Sequence, residues 1–168
     1  ARLNTPTGVF SSVYGEAPIY SIGFYTAASG GTLVSLSASD YTGYNAVSTF
    51  SGMPSNASIV GVYSVNYTSG VTVSNANYQL MGPGSATSWT VTPKTLMLNI
   101  PGASRIYDGT TAISATGSVT LLGVVNGDAV SFGGSVNGFV DKHVGSNKAV
   151  TYTGSSLTGA GIGNYILP

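Results

Sequence analysis

The chain has 168 residues, 6% of them charged, and its five Lys/Arg balance five Asp/Glu for a formal net charge of zero; an average soluble domain carries roughly 25% charged residues. That balance offers no electrostatic footprint for nucleic acid or an anionic membrane, and no apolar run approaches the ~20 residues a membrane helix needs. Hydrophobic residues reach 42% and Cys is absent, so there is material for a packed core, disorder is not expected, and thiolate metal sites and disulfides are excluded.

In chain order, strand patterning dominates. Ile19 to Tyr25 alternates and is rich in β-branched and aromatic residues. Residues 30–42 suit a helical turn or two, with Gly31 and Thr32 at the start and Leu33, Val34 and Leu36 inward, while the 24 glycines argue against longer helices. Strand signals resume at Val60 to Tyr67, Val71 to Val73 and Ser88 to Thr92. Pro93 cannot donate to a ladder and marks a strand end or edge. Beyond it come Leu96 to Ile100, Ala112 to Thr116, Ser118 to Leu122, Ala129 to Phe132, Gly138 to Asp141 and Lys148 to Thr153. Gly and Asn clusters separate these runs, and Asn126-Gly127-Asp128 is a turn signal because Asn and Gly tolerate positive φ.

Landmarks recur in order along the chain. Ser12-Val13-Tyr14-Gly15-Glu16 is answered by Arg105-Ile106-Tyr107-Asp108-Gly109, and Leu3-Asn4-Thr5-Pro6 by Leu98-Asn99-Ile100-Pro101. Gly31 to Ser35 is answered by Gly127 to Ser131, Val60-Gly61 by Val144-Gly145, Val65-Asn66-Tyr67 by Val150-Thr151-Tyr152, and Asn77-Tyr78-Gln79-Leu80 by Asn164-Tyr165-Ile166-Leu167. An ordered series of this kind points to two related modules joined by a very short linker. The expected division is 1–95 and 96–168. The second module stops just after its Asn-Tyr landmark, so it is expected to lack a terminal strand. No signal peptide is visible, and the start at Ala1 reads as a cut in a longer chain.

Four segments of the second module carry a family resemblance. Arg105 to Ala112 resembles the K-x-Y-D-G-T-T-x opening of the YDG domain, and Val125 to Val130 fits its V-x-G-D-x-V turn. Phe139 to Lys148 resembles its F-x-D-K-N-V-G-x-x-K segment, with His143 where Asn is usual. Gly159 to Tyr165 resembles its G-x-D-x-x-N-Y end, with Gly161 in place of Asp. The first module resembles the MBG domain through Val13 to Pro18, Gly61-Val62-Tyr63, Ala76-Asn77-Tyr78 and the closing Trp89 to Lys94; its middle, 26–55, matches poorly. These families occur in tandem in large secreted bacterial adhesins, many resembling filamentous haemagglutinin. The resemblance thus implies a non-catalytic stalk or adhesive segment that is secreted or at the bacterial cell surface. It implies neighbouring modules of the same long chain as partners, with host or matrix glycans or proteins as further ones. The low charge and the wealth of Ser, Thr and Gly agree with it.

The same residues suit a folding role. Gly109 permits a tight turn, Asp108 can accept from downstream amides or from the hydroxyls of Thr110 and Thr111, and Tyr107 and Tyr165 are expected to bury their rings with a hydroxyl on a backbone partner. The expected class is all-β: a first module β-grasp-like with one short helix, then a β-sandwich-like one.

Catalytic chemistry is poorly provided for. The acids are Glu16, Asp40, Asp108, Asp128 and Asp141, and the lone imidazole is His143. Paired carboxylates would have to meet across modules, and no Gly-x-Ser-x-Gly elbow accompanies His143. No enzyme activity, cofactor or metal is expected; Asp128 and Asp141 with carbonyls are the only candidates for a weak calcium ion. Gly159 to Gly163 lacks the helix and Lys of a phosphate loop. Lys142 and Lys148 lie near Asn137 and Asn147, the pairs an isopeptide bond would use, but in turns rather than a core. Asn56-Ala57-Ser58 and Asn66-Tyr67-Thr68 match the glycosylation acceptor pattern. Of the 11 tyrosines, eight precede residue 80, and Asp40-Tyr41-Thr42-Gly43-Tyr44-Asn45 reads as a loop. Asp40, Tyr41, Tyr44 and Asn45 form the candidate ligand site, rings stacking on a sugar and polar groups bonding its hydroxyls; the alternative is that both rings cover a core edge.

Overall fold

A computed structural model describes residues 1–27, 30–45, 49–80, 84–100, 104–113, 119–125, 127–154 and 156–168. Its contacts divide the chain into two compact units, Ala1–Thr92 and Pro93–Pro168. The fold is all-β, as expected. The strand reading for Ala112 to Thr116, the first residue of Ser118 to Leu122, Asn126 and Pro101 fall in whole or in part outside the described residues.

The first unit runs β1 (Arg2–Asn4), β2 (Ser11–Val13), β3 (Ser21–Tyr25), β4 (Leu33–Val34), β5 (Tyr41–Thr42), β6 (Phe50–Ser51), β7 (Gly61–Tyr67), β8 (Thr72–Val73) and β9 (Thr87–Thr92). Its largest sheet has the order β2-β9-β7-β6, with β2 parallel to β9 and the other pairs antiparallel. A second sheet, β1-β3-β4, is antiparallel throughout, and β5 pairs with β8. The short helix expected within 30–42 is not there: Leu33 and Val34 pair with Tyr25 and Phe24. Two β-branched or γ-branched residues beside an existing strand gain ladder bonds, whereas an isolated helical turn makes too few bonds to offset its nucleation.

The core of this unit follows from alternation. Along β9, Trp89 and Val91 are buried and Ser88 is exposed; along β7, Val65 is buried between exposed Ser64 and Asn66. Trp89 is fully buried, and enclosing an indole of about 150–250 Å² contributes roughly 5 kcal/mol of gross transfer free energy at ~25 cal/mol per Å². Phe10 and Tyr20 meet it edge-on, each at 6.3 Å between ring centroids, and Tyr20 passes the cluster on to Phe50 at 6.0 Å. The indole N–H donates to Ser12 Oγ at 3.0 Å, so the most buried ring is also polar-satisfied and tied to β2.

The second unit runs β10 (Lys94–Thr95), β11 (Met97–Asn99), β12 (Thr120–Leu122), β13 (Val130–Phe132), β14 (Ser135–Phe139), β15 (Val150–Thr153), β16 (Leu157–Gly159), a single 3₁₀ turn (Ile162–Asn164) and β17 (Tyr165–Ile166). These form four two-stranded ladders: β11 with β12, β13 with β16 and β14 with β15, all antiparallel, and β10 with β17, parallel. Asn137 is an extra residue on β14, a β-bulge that interrupts the ladder before pairing resumes at Gly138. Leu96, fully buried, sits between β10 and β11, and its amide donates to Ile166 O at 2.9 Å. Tyr165 and Asn164 are buried here as well.

Candidate functional site

In the Asp40–Asn45 segment the structure places a strand where a loop was expected. Tyr41 and Thr42 form β5 opposite Val73 and Thr72. The Tyr41 ring is half-buried and lies 5.0 Å from that of Phe24. Tyr44 is half-buried as well; desolvation, and then the proximity of Tyr20 and Tyr41, push its phenol above the ordinary value. Asn45 is exposed, its amide donating to Thr49 Oγ1 at 3.0 Å.

Asp40 has internal work. One carboxylate oxygen accepts from the Ser37 hydroxyl and the Ser37 amide, both at 2.7 Å, and the other accepts from Asn75 Nδ2 at 2.9 Å. Its carbonyl accepts from Ser74 N at 2.8 Å. The Ser37 hydroxyl, then Asn75, then the Ser37 amide hold the carboxyl below its usual range. The side chain thus closes a turn onto β5 and anchors the segment after β8. The structure brings the four candidate residues into one neighbourhood, with two rings part-covered, the carboxylate engaged by Ser37 and Asn75, and Asn45 exposed.

The second unit gathers the residues of the sequence motifs more tightly. Asp108 Oδ1 accepts from Thr110 N at 2.9 Å and Thr110 Oγ1 at 3.0 Å, an Asx turn. Gly109 carries φ 79 there, and Gly15, in the matching landmark of the first unit, φ 82, so the glycine is retained at both places for a left-handed backbone. Arg105 spans the turn, pairing with Asp108 and donating to Thr110 O at 3.0 Å, Thr110 Oγ1 at 2.8 Å and Ala112 O. Tyr107 does not bury its ring; it is 57% exposed, because the Asx turn directs residue 107 outward while Arg105 lies against the turn.

Thr111 O accepts from Phe139 N at 2.8 Å, bringing the Tyr-Asp-Gly turn against β14. Gly138 makes this approach possible, since a Cβ there would lie 2.5 Å from the Thr111 oxygen. Beyond β14, Asp141 Oδ1 accepts from the His143 amide at 2.8 Å and from Lys148 Nζ, which also donates to His143 O at 2.7 Å. Lys148, then the His143 amide, hold the Asp141 carboxyl below its usual range. Asn147 takes φ 53 in this turn, a conformation Asn tolerates better than most residues.

A third connection bears out the expectation for Tyr165, whose ring is buried and whose hydroxyl finds a backbone partner. The Tyr165 hydroxyl accepts from Val125 N at 2.9 Å and donates to Asp128 Oδ2, joining the turn before β13 to the start of β17. Asp128 and Asp141, the pair weighed for calcium, therefore serve different turns. No group of three or more His, Cys, Asp or Glu side chains suited to a metal ion occurs among the described residues. Of the pairs weighed for an isopeptide bond, Lys148 is held by Asp141, and Asn137 Oδ1 accepts from Thr153 Oγ1 at 3.2 Å.

Between the Arg105–Thr110 turn and the Asp141–Lys148 turn lies a surface cleft of about 690 Å³, lined also by Leu98, Phe139 and Val150. Sequence reasoning passed over it. The available signal was charge: three of the chain's five Lys/Arg and its only His line it.

The YDG domain family model matches residues 92–168, the C-terminal half of the chain. That match spans all four motif segments and begins at the division between the two units. No curated protein and no solved structure matches the chain.

Proposed function

We propose that this chain is a non-catalytic structural and adhesive segment of a large secreted bacterial surface protein. An MBG-like first unit and a YDG-like second unit would space or present the remainder of that adhesin. The observation that carries the reading is where the polar motif residues are spent. Asp108, Asp128, Asp141, Arg105, Lys148 and Tyr165 pair with one another or with nearby backbone, which specifies turns. Partners on this reading are adjacent modules of the same chain and, at the cell surface, host or matrix glycans or proteins. An antibody raised against the chain should label intact producing cells or their culture medium. Signal confined to lysed cells overturns the proposal.

A second reading, glycan recognition at Asp40, Tyr41, Tyr44 and Asn45, draws on the closeness of Tyr20, Tyr41 and Tyr44 and on the outward Asn45. A glycan array probed with the intact chain and with Tyr44→Ala separates the two; loss of signal with an unchanged thermal midpoint favours the second, and no signal from the intact chain removes it.

A further inference from the structure

Three of the chain's five Lys/Arg and its His line the cleft of the second unit, against one of its five Asp/Glu. Arg105 is paired with Asp108 and Lys148 with Asp141, so these four charges cancel in pairs. Lys142 is exposed and has no partner among the described residues, and His143 is exposed beside it. The surplus at the cleft is therefore cationic. Around it stand exposed apolar groups, the Tyr107 ring and Val144, which is 84% exposed. Ser104 and Ser146 supply hydroxyls. A volume of about 690 Å³ falls within the range of roughly 300–1,000 Å³ for small-ligand sites.

We propose that this cleft binds an acidic saccharide, its carboxylate pairing with Lys142 and a sugar ring lying against Tyr107. An exposed phenol offers an apolar face to the C–H side of a pyranose and a hydroxyl to its edge. The lone surplus cation selects a ring bearing a carboxylate over a neutral one. The walls are turns, 104–110 and 141–148, which present side chains; an extended peptide would need a continuous open strand edge along them. The proposal goes beyond the spacing role, which stands if this one fails.

The test is an NMR titration of the intact chain with galacturonic acid trimer, its methyl ester and hexaglutamate. Saturable shifts are expected at the Tyr107, Lys142 and Val144 amides with the trimer. Lys142→Gln should weaken binding about fivefold, the scale of an exposed ion pair, and Tyr107→Ala about tenfold. Spectra of both variants establish folding; should Tyr107→Ala disturb it, Lys142→Gln decides alone. No saturable shift with the trimer, equal binding of the ester, equal or tighter binding of hexaglutamate, or shifts at Asp40–Asn45 instead would each overturn the proposal.

Discussion

Replacing Ser12 by Ala tests whether the polar contact at the centre of the first unit matters as its burial implies. Trp89 is fully buried, and its indole N–H has Ser12 Oγ as acceptor at 3.0 Å. Without that oxygen the donor stays buried and unsatisfied, a cost of about 1–3 kcal/mol. Ser12 itself is half-buried, so a water can enter part of the space and the middle of that range, about 2 kcal/mol, is expected. With a urea slope of about 1 kcal/mol per M for a unit of this size, the unfolding midpoint should fall by about 2 M. Trp89 is the only Trp, so fluorescence excited selectively at Trp follows this unit alone. The native emission maximum should stay at its buried value in the variant, and Ser12→Thr, which keeps an acceptor, should recover most of the loss. A midpoint within about 0.3 M of the parent, less than ~0.5 kcal/mol, refutes the reasoning.

Other predictions concern the second unit and acid stability. Tyr165→Phe removes the link from Val125 N to Asp128 and should cost about 2 kcal/mol; faster amide exchange at Val125 with unchanged Trp89 fluorescence is the expected signature. Gly138→Ala puts a methyl group 2.5 Å from Thr111 O, at about 1–3 kcal/mol, and the Phe139 amide should lose its exchange protection. Asp40 and Asp141 both have carboxyls lowered from 3.8, by Ser37 foremost and by Lys148 foremost respectively. Their contribution is present above the unfolded value and is lost as pH falls through the folded one. Thermal midpoints should therefore hold down to about pH 5 and drop below about pH 4, with the drop blunted in Asp141→Asn.

What the sequence made legible was set by range. Gly61–Tyr67 and Thr87–Thr92 show period-two alternation over six or seven residues, and both were readable. Leu33–Val34 and Tyr41–Thr42 are two-residue strands, too short to show any period, so one read as a helical turn and the other as a loop. The turn chemistry of Asp108 is local, within two residues of its amide donor, and was foreseen. The engagement of Asp40 by Asn75, and of Asp128 by Tyr165, spans 35 and 37 residues, and no local pattern encodes it. The doubled landmarks show the same limit. Tyr165 is 5% exposed in β17, whereas its counterpart Tyr78 is 46% exposed. Identical letters acquire different burial because only one copy finds a strand to pair with. The candidate site was legible as a composition and the cleft was not, because its walls come from turns about 35 residues apart in the chain.

The parallel pairing of β10 with β17, and of β2 with β9, also bears on mechanical load. Each pair joins a strand near the start of its unit to the strand nearest its end. Tension drawing the two ends of a unit apart pulls parallel partners past one another along their length. All the bonds of the pair then share the force at once, where an antiparallel terminal hairpin would open one bond at a time. Short as they are, these strands lie in a shear geometry, and each unit would resist stretching most strongly before its first rupture.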